Sequence, residues 1–202
     1  MNMDTKVVIV GDSGAGKTTF VRKLLNGVFH QDPDSTIGAS VQTYSINERR
    51  FIFWDTAGQE RFRSLVPMYY TRSHCVLLFY DMSDLDKHES IPGWLEDINS
   101  NIRDGTPIII IGSKSDKETS VELNYDSPEN KNAMNNSNII AKIVISSKAE
   151  TKKELLVKFS ELFDVVHEYA KNHQGPRKGI VNITNQDQST LEYFTGGYCN
   201  IL

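Results

Sequence analysis

The chain has 202 residues, 39% hydrophobic and 24% charged, with a net charge of −4. That composition supplies one sizeable core plus a tail, and an acidic balance without a basic block argues against nucleic acid as the main partner. Two cysteines, Cys75 and Cys199, cannot form a disulfide framework or a thiol zinc site, and no apolar run approaches the ~20 residues of a membrane span.

Met1–Lys6 runs straight into a strand pattern with nothing resembling a secretory leader, so a reducing intracellular compartment is expected. Lys6–Val10 is rich in β-branched residues and reads as a buried strand ending at Gly11. A helix is predicted over 17–26, with Phe20, Val21, Leu24 and Leu25 at helical spacing. Val41–Ile46 and Phe51–Trp54 read as strands joined by a polar turn over Asn47–Arg50. Cys75–Tyr80 and Ile108–Ile111 are continuous apolar strands flanking a helix near 91–102. Ile139–Ile145 is a sixth strand, and 151–170 is a long amphipathic helix. Continuous strands alternating with helices predict an α/β fold: a six-stranded, mostly parallel sheet covered on both faces.

Two stretches break the pattern. Residues 130–138 hold five asparagines in nine positions and are expected to form a solvated polar insertion. From about residue 173 onward little periodicity remains, so the expected division is a domain over 4–172 and a flexible tail over 173–202. The five histidines, His30, His74, His88, His167 and His173, show no ligand spacing and are expected in loops or on the surface. Cys75 is expected to be a small core residue.

Gly11-Asp12-Ser13-Gly14-Ala15-Gly16-Lys17-Thr18 matches G-x-x-x-x-G-K-[ST], between the first strand and the first helix. The glycines let backbone N–H groups of Ser13, Gly14, Ala15 and Gly16 converge on phosphate at a helix N-terminus, with Thr19 just inside it. Lys17 supplies charge to the terminal phosphates, and Thr18 offers a hydroxyl to Mg²⁺. Farther on, Asp55-Thr56-Ala57-Gly58-Gln59 follows a strand. There Asp55 is expected to reach Mg²⁺ through a water, Gly58 to offer its N–H to a γ-phosphate, and Gln59 to orient the attacking water.

With Thr36-Ile37-Gly38 and the run Trp54-Asp55-Thr56-Ala57-Gly58-Gln59-Glu60-Arg61-Phe62-Arg63-Ser64-Leu65, the chain resembles the Ras superfamily of small GTPases, and within it the Rab family. The resemblance covers about residues 4–170 and implies a single phosphate-loop GTPase domain that binds GTP or GDP with Mg²⁺. It implies that Thr36 closes on Mg²⁺ and γ-phosphate and that Phe29 packs on the base. Ser113-Lys114-Ser115-Asp116 stands at the place of Asn-Lys-x-Asp, so Asp116 is expected to recognise guanine and Lys114 to cover the ring. Ser146-Ser147-Lys148 stands where Ser-Ala-Lys is usual, with the Ser147 N–H facing the guanine O6. Ser113 departs from the family's asparagine. A serine too short to tie the base site to the phosphate loop predicts faster nucleotide exchange.

The same resemblance implies hydrolysis of GTP with Lys17 and Gln59 as catalytic residues, slow without an activating protein because no arginine is placed as an internal finger. It implies an exchange factor, a GDP-dissociation inhibitor and effectors as partners of an expected monomer. Ile37, Val41, Trp54 and Tyr69 are the expected effector surface, with Val41 in place of the family's phenylalanine; the plainer alternative is that these residues only pack the sheet. Cys199-Asn200-Ile201-Leu202 fits a C-a-a-X prenylation motif whose terminal leucine favours geranylgeranyl. A reversible anchor cycling between cytosol and the cytoplasmic face of an intracellular membrane, in vesicle trafficking, is the expected setting. Two alternatives stand beside it: a nucleotide-holding scaffold with little regulated hydrolysis, and a Ras-like signalling GTPase.

Overall fold

The computed structural model describes residues 3–31, 35–59 and 66–173. The elements are β1 (Asp4–Gly11), α1 (Lys17–Asn26), β2 (Ala39–Ile46), β3 (Arg49–Thr56), α2 (Val66–Tyr70), β4 (Cys75–Asp81), α3 (Ile91–Asn101), β5 (Ile108–Ser113), α4 (Pro128–Asn135), β6 (Ile139–Val144) and α5 (Lys152–Asn172). The six strands form one sheet in the order β2-β3-β1-β4-β5-β6. Every pairing is parallel except β2 with β3. The predicted α/β architecture is the observed one.

The pleat explains why β1, β4 and β5 lack alternation. Val7 and Ile9 point to one face and join Phe20, Leu24, Phe159 and Phe163 of α1 and α5. Val8 and Val10 point to the other and join Ile91, Leu95 and Ile98 of α3. A strand buried on both faces needs apolar side chains at every position. Phe20, Phe159 and Phe163 form a tilted and stacked ladder with centroids 5.1 and 5.5 Å apart, which binds α1 to α5. Thr151 starts α5 with a capping box, its hydroxyl accepting from the Glu154 N–H while Glu154 returns to the Thr151 N–H. Among the described residues, no helix is long and apolar enough to cross a membrane.

Three expectations need correction, and one element was not foreseen. The hairpin turn is only Asn47-Glu48, both in the left-handed region (φ 49° and 62°), and Arg49 and Arg50 belong to β3. This two-residue geometry matches the twist of the flanking strands. The asparagine-rich segment is not simply a loop, because 128–135 form α4. Ser127 caps the helix through the Asn130 N–H, Pro128 opens it, and Ala133 and Met134 are buried with α3 side chains. Capping and burial outweigh the poor intrinsic propensity of asparagine. His167, on α5, is buried and hydrogen-bonds the Thr5 hydroxyl at 2.8 Å, while His74 lies in a loop as expected, half-buried and accepting the Lys6 N–H at 2.9 Å. Finally, a 3₁₀ turn over Leu85–Ser90, unforeseen in the sequence, leads into α3. Cys75 is buried as expected, and burial pushes its thiol well above the ordinary range.

Candidate functional site

In an open α/β sheet the crevice lies at the carboxyl ends of the strands where the strand order reverses. Here that point is β1, flanked by β3 and β4. Gly11 closes β1 at φ 130°, and a Cβ there would lie 2.1 Å from the Phe79 carbonyl oxygen, so only glycine fits. The loop after it bends back, with the Ala15 N–H donating to the Asp12 carbonyl at 3.2 Å, and delivers Lys17 to the start of α1.

A cavity of about 340 Å³ opens there, lined by Ser13, Gly14, Gly16, Lys17, Thr18, Thr19, Gln31, Ser35, Thr36, Thr56, Gly58, Gln59 and Lys114. Lys17 brings charge to this lining, and Asp55 lies beside it, outside the lining residues. Lys17 is buried and donates to the carbonyls of Gly11 (2.6 Å) and Asp12 (2.8 Å). Burial lowers its ammonium pKa to about 8, against the pull of Asp55 and Asp12. Asp55 is fully buried at the end of β3, and neither carboxylate oxygen has a hydrogen-bond partner. Burial raises its pKa, opposed first by the neighbouring Thr18 and then by Lys17.

Two hydroxyls complete this lining. Thr18 and Thr36 meet at 2.9 Å although they come from α1 and from the segment before β2. The same segment is tied to the end of β3, where the Ala57 N–H donates to the Gly38 carbonyl at 2.8 Å. Gly58 sits so close to the loop that a Cβ would lie 2.4 Å from the Lys17 Nζ and 2.6 Å from the Asp12 oxygen. An unpaired buried carboxylate beside two hydroxyls is a hard-oxygen donor set, the type that suits Mg²⁺.

Of the residues predicted for the base, only Lys114 lines the cavity; Phe29, Ser113, Asp116, Ser146, Ser147 and Lys148 do not, nor do Ala15 and Asp55. Asp116 is exposed, and its carboxylate accepts from the Ser146 hydroxyl at 2.5 Å. Ser147 is buried, Lys148 exposed and Phe29 half-buried. Lys114, left-handed at φ 61°, gives its ammonium to Asp81 at 2.6 Å. Burial pushes the Asp81 carboxyl up, but Lys114 and Ser83 outweigh it and hold it below the usual range.

Ser113 overturns one sequence argument. Its buried hydroxyl lies 2.8 Å from the Ala15 carbonyl of the phosphate loop and 3.0 Å from the Tyr80 carbonyl of β4. The serine is therefore long enough to tie β5 to the loop, because a Cβ on Gly16 would stand only 3.6 Å from that of Ser113.

On the outer face of β3, Trp54 and Tyr69 pack at a centroid distance of 5.8 Å, with the Lys6 ammonium 4.2 Å over the indole. Val41 pairs with Trp54 across the ladder and is half exposed, and Ile37 is 82% exposed. Both aromatics are also partly buried against the α3-side core, whereas Ile37 stands free on the surface. Glu60 to Leu65 and Cys199 lie outside the described residues.

Sequence reasoning missed Asp12 as an anchor. Its carboxylate accepts from Ser90 (2.6 Å) and from the Trp94 indole N–H (2.8 Å), locking the loop to the start of α3. Polarity at a variable motif position gave no hint of partners 78 and 82 residues away. Gln31, Ser35 and Thr56 were also missed as lining residues.

The sheet order, the loop at the end of β1 and the cavity define a phosphate-loop GTPase fold. The family model described as "Ras family" matches residues 6–168, and the chain belongs to that family as a Rab-type small GTPase. It is similar to Ras-related protein RabJ of Dictyostelium discoideum, 28% identical over 202 residues, 96% of this chain and 77% of the relative. It is 34% identical over 127 residues to RabC of the same organism, covering 60% of this chain and 65% of the relative. It is 40% identical over 119 residues to the Ras-like GTP-binding protein RYL2 of Yarrowia lipolytica, covering 57% of each. The activity is hydrolysis of GTP to GDP and phosphate.

Proposed function

We propose that the chain is a Mg²⁺-dependent GTP/GDP switch that recruits effectors in membrane trafficking. The observation that carries the nucleotide site is the cavity lining at Lys17, Thr18 and Thr36, a buried lysine and two touching hydroxyls, with the buried Asp55 carboxylate next to Lys17 and Thr18. In this reading Ser13, Gly14, Ala15 and Gly16 present backbone N–H groups to the phosphates, with Thr19 beside them. Lys17 neutralises the charge that develops on the γ-phosphate as water attacks. Thr18, Thr36 and Asp55 (through water) would hold Mg²⁺, which would supply positive charge to offset the negative charge of the phosphates. Gln59 orients the attacking water, and Gly58 gives its N–H to the γ-phosphate. The base lies toward Asp116, Lys114, Ser147, Lys148 and Phe29, with Ser146 holding Asp116 in place.

The Thr18–Thr36 contact and the Ala57–Gly38 hydrogen bond support the switching step, since both connect segments that a terminal phosphate would hold together. Ile37, Val41, Trp54 and Tyr69 are the surface offered to effectors. The domain spans 4–172, and Cys199 in the segment 173–202 is the proposed geranylgeranyl site, read from the tetrapeptide alone. Trafficking rests on similarity to Rab-named relatives.

Titration of the full chain with fluorescent GDP, competed by GDP, GTP and ATP, tests the reading. Competition by guanine nucleotides alone supports it. Competition by ATP removes the base assignment, and absence of binding replaces the switch with another role for the fold.

A further inference from the structure

Among the described residues, Lys17 and Lys87 both donate to carbonyls of the phosphate loop, and only Lys17 belongs to its motif. The second is Lys87, from the 3₁₀ turn Leu85–Ser90. Its ammonium donates to the Ser13 carbonyl at 3.3 Å and pairs with Asp84 at 3.0 Å. A Cβ built on Gly14 would stand 4.0 Å from it.

The turn that carries Lys87 is fixed to the loop itself. The Ser90 hydroxyl reaches both the Asp12 carboxylate (2.6 Å) and the Lys87 carbonyl (2.8 Å). His88 is anchored on the Asp81 carbonyl at 3.1 Å. The loop's own acid, Asp12, is turned away toward Ser90 and Trp94. Asp84 is thus the carboxylate that Lys87 contacts, and Lys17 is a second cation near enough to feel it.

Like charges held on one loop repel unless a polyanion occupies the space they face. Ser13 and Gly14, which Lys87 backs, line the cavity, and the preceding Asp12 backbone abuts Gly58, the residue proposed above to meet the terminal phosphate. An added cation beside the terminal phosphate stabilises a triphosphate more than a diphosphate, because the triphosphate carries more charge there.

We propose that Lys87 is a specificity-determining residue of the nucleotide site, raising the preference for GTP over GDP from outside the phosphate-loop motif. The proposal rests on the guanine-nucleotide reading above. Fluorescent GDP bound to the full chain is displaced with GDP and with a non-hydrolysable GTP analogue, for the wild type, Lys87→Gln, Lys87→Arg and Asp84→Asn. Lys87→Gln should weaken the GTP analogue roughly three- to tenfold and GDP by less than about twofold. The difference should shrink in about 0.5 M salt, since the side chain is part-exposed. Lys87→Arg should restore the ratio, and Asp84→Asn should move it the other way.

Equal weakening of both nucleotides in Lys87→Gln, or no change in either, overturns the proposal while leaving the switch intact. Failure of the wild type to bind either guanine nucleotide overturns the functional reading and this proposal with it.

Discussion

Replacing Ser113 with alanine removes one buried hydroxyl that faces two carbonyls, Ala15 at 2.8 Å and Tyr80 at 3.0 Å. The hydroxyl has one proton, so it contributes one hydrogen bond at a time. A buried neutral hydrogen bond is worth about 0.5–1.5 kcal/mol net, so Ser113→Ala should lose about that much stability. For a domain of this size that is a fall in Tm of roughly 1–6 °C. The bond lies within the protein, between β5 and the phosphate loop. It affects nucleotide only through how firmly the loop is held, so its full value caps the effect on release. Spontaneous GDP release should quicken by about two- to tenfold and no more. Stopped-flow release of fluorescent GDP into excess unlabelled GDP, beside a thermal melt, measures both. Ser113→Asn should leave release within about twofold of the wild type, because the loop tie already exists. Unchanged release together with unchanged Tm in Ser113→Ala would refute the reasoning. A rise far beyond tenfold would mean that Ser113 contacts the nucleotide directly.

Other residues give results of different sign. Asp55→Asn removes a buried, unpaired charge, so the metal-free protein should melt higher, while Mg²⁺ should lose about 10- to 100-fold of its power to slow GDP release. Gln59→Leu should slow single-turnover GTP hydrolysis at least about tenfold with GDP affinity unchanged; equal rates would favour a nucleotide-holding scaffold. Burial lowers the His74 pKa to about 4, with Arg103 and Lys6 adding to the shift. Because the folded pKa is depressed, the unfolded chain takes up the proton first. Wild-type stability, compared with His74→Asn by denaturant titration, should therefore fall as pH drops from about 6.5 toward 4. Thr151→Ala deletes the cap of α5 and should cost about 1 kcal/mol in the same assay, with no effect on nucleotide release.

What the sequence made legible was whatever depends on neighbours along the chain. Val7 to Val10 are buried on both faces, and a run of apolar residues can say so. Lys17 and Thr18 follow Gly16 directly, so a motif brings them to one loop. The misread positions depend on partners far along the chain. An asparagine-rich stretch has poor helix propensity, yet Ser127 and Pro128 start α4, and burial of Ala133 and Met134 with α3 side chains sustains it. Side-chain length alone misleads at Ser113, because reach is set by how closely two backbones approach. With glycine at position 16, β5 and the phosphate loop come near enough for a hydroxyl to bridge them. Asp12 and Lys87 carry the point further. One is a variable position of the motif and the other an ordinary surface lysine by sequence, yet through Ser90, Trp94 and Ser13 both act on the same loop. The motif therefore specifies that this loop holds phosphate, while the residues that set its rigidity and charge are chosen by α3 and the turn before it. Variation among chains that share the motif should then show itself less in whether nucleotide binds than in how long it stays and which phosphate state is preferred.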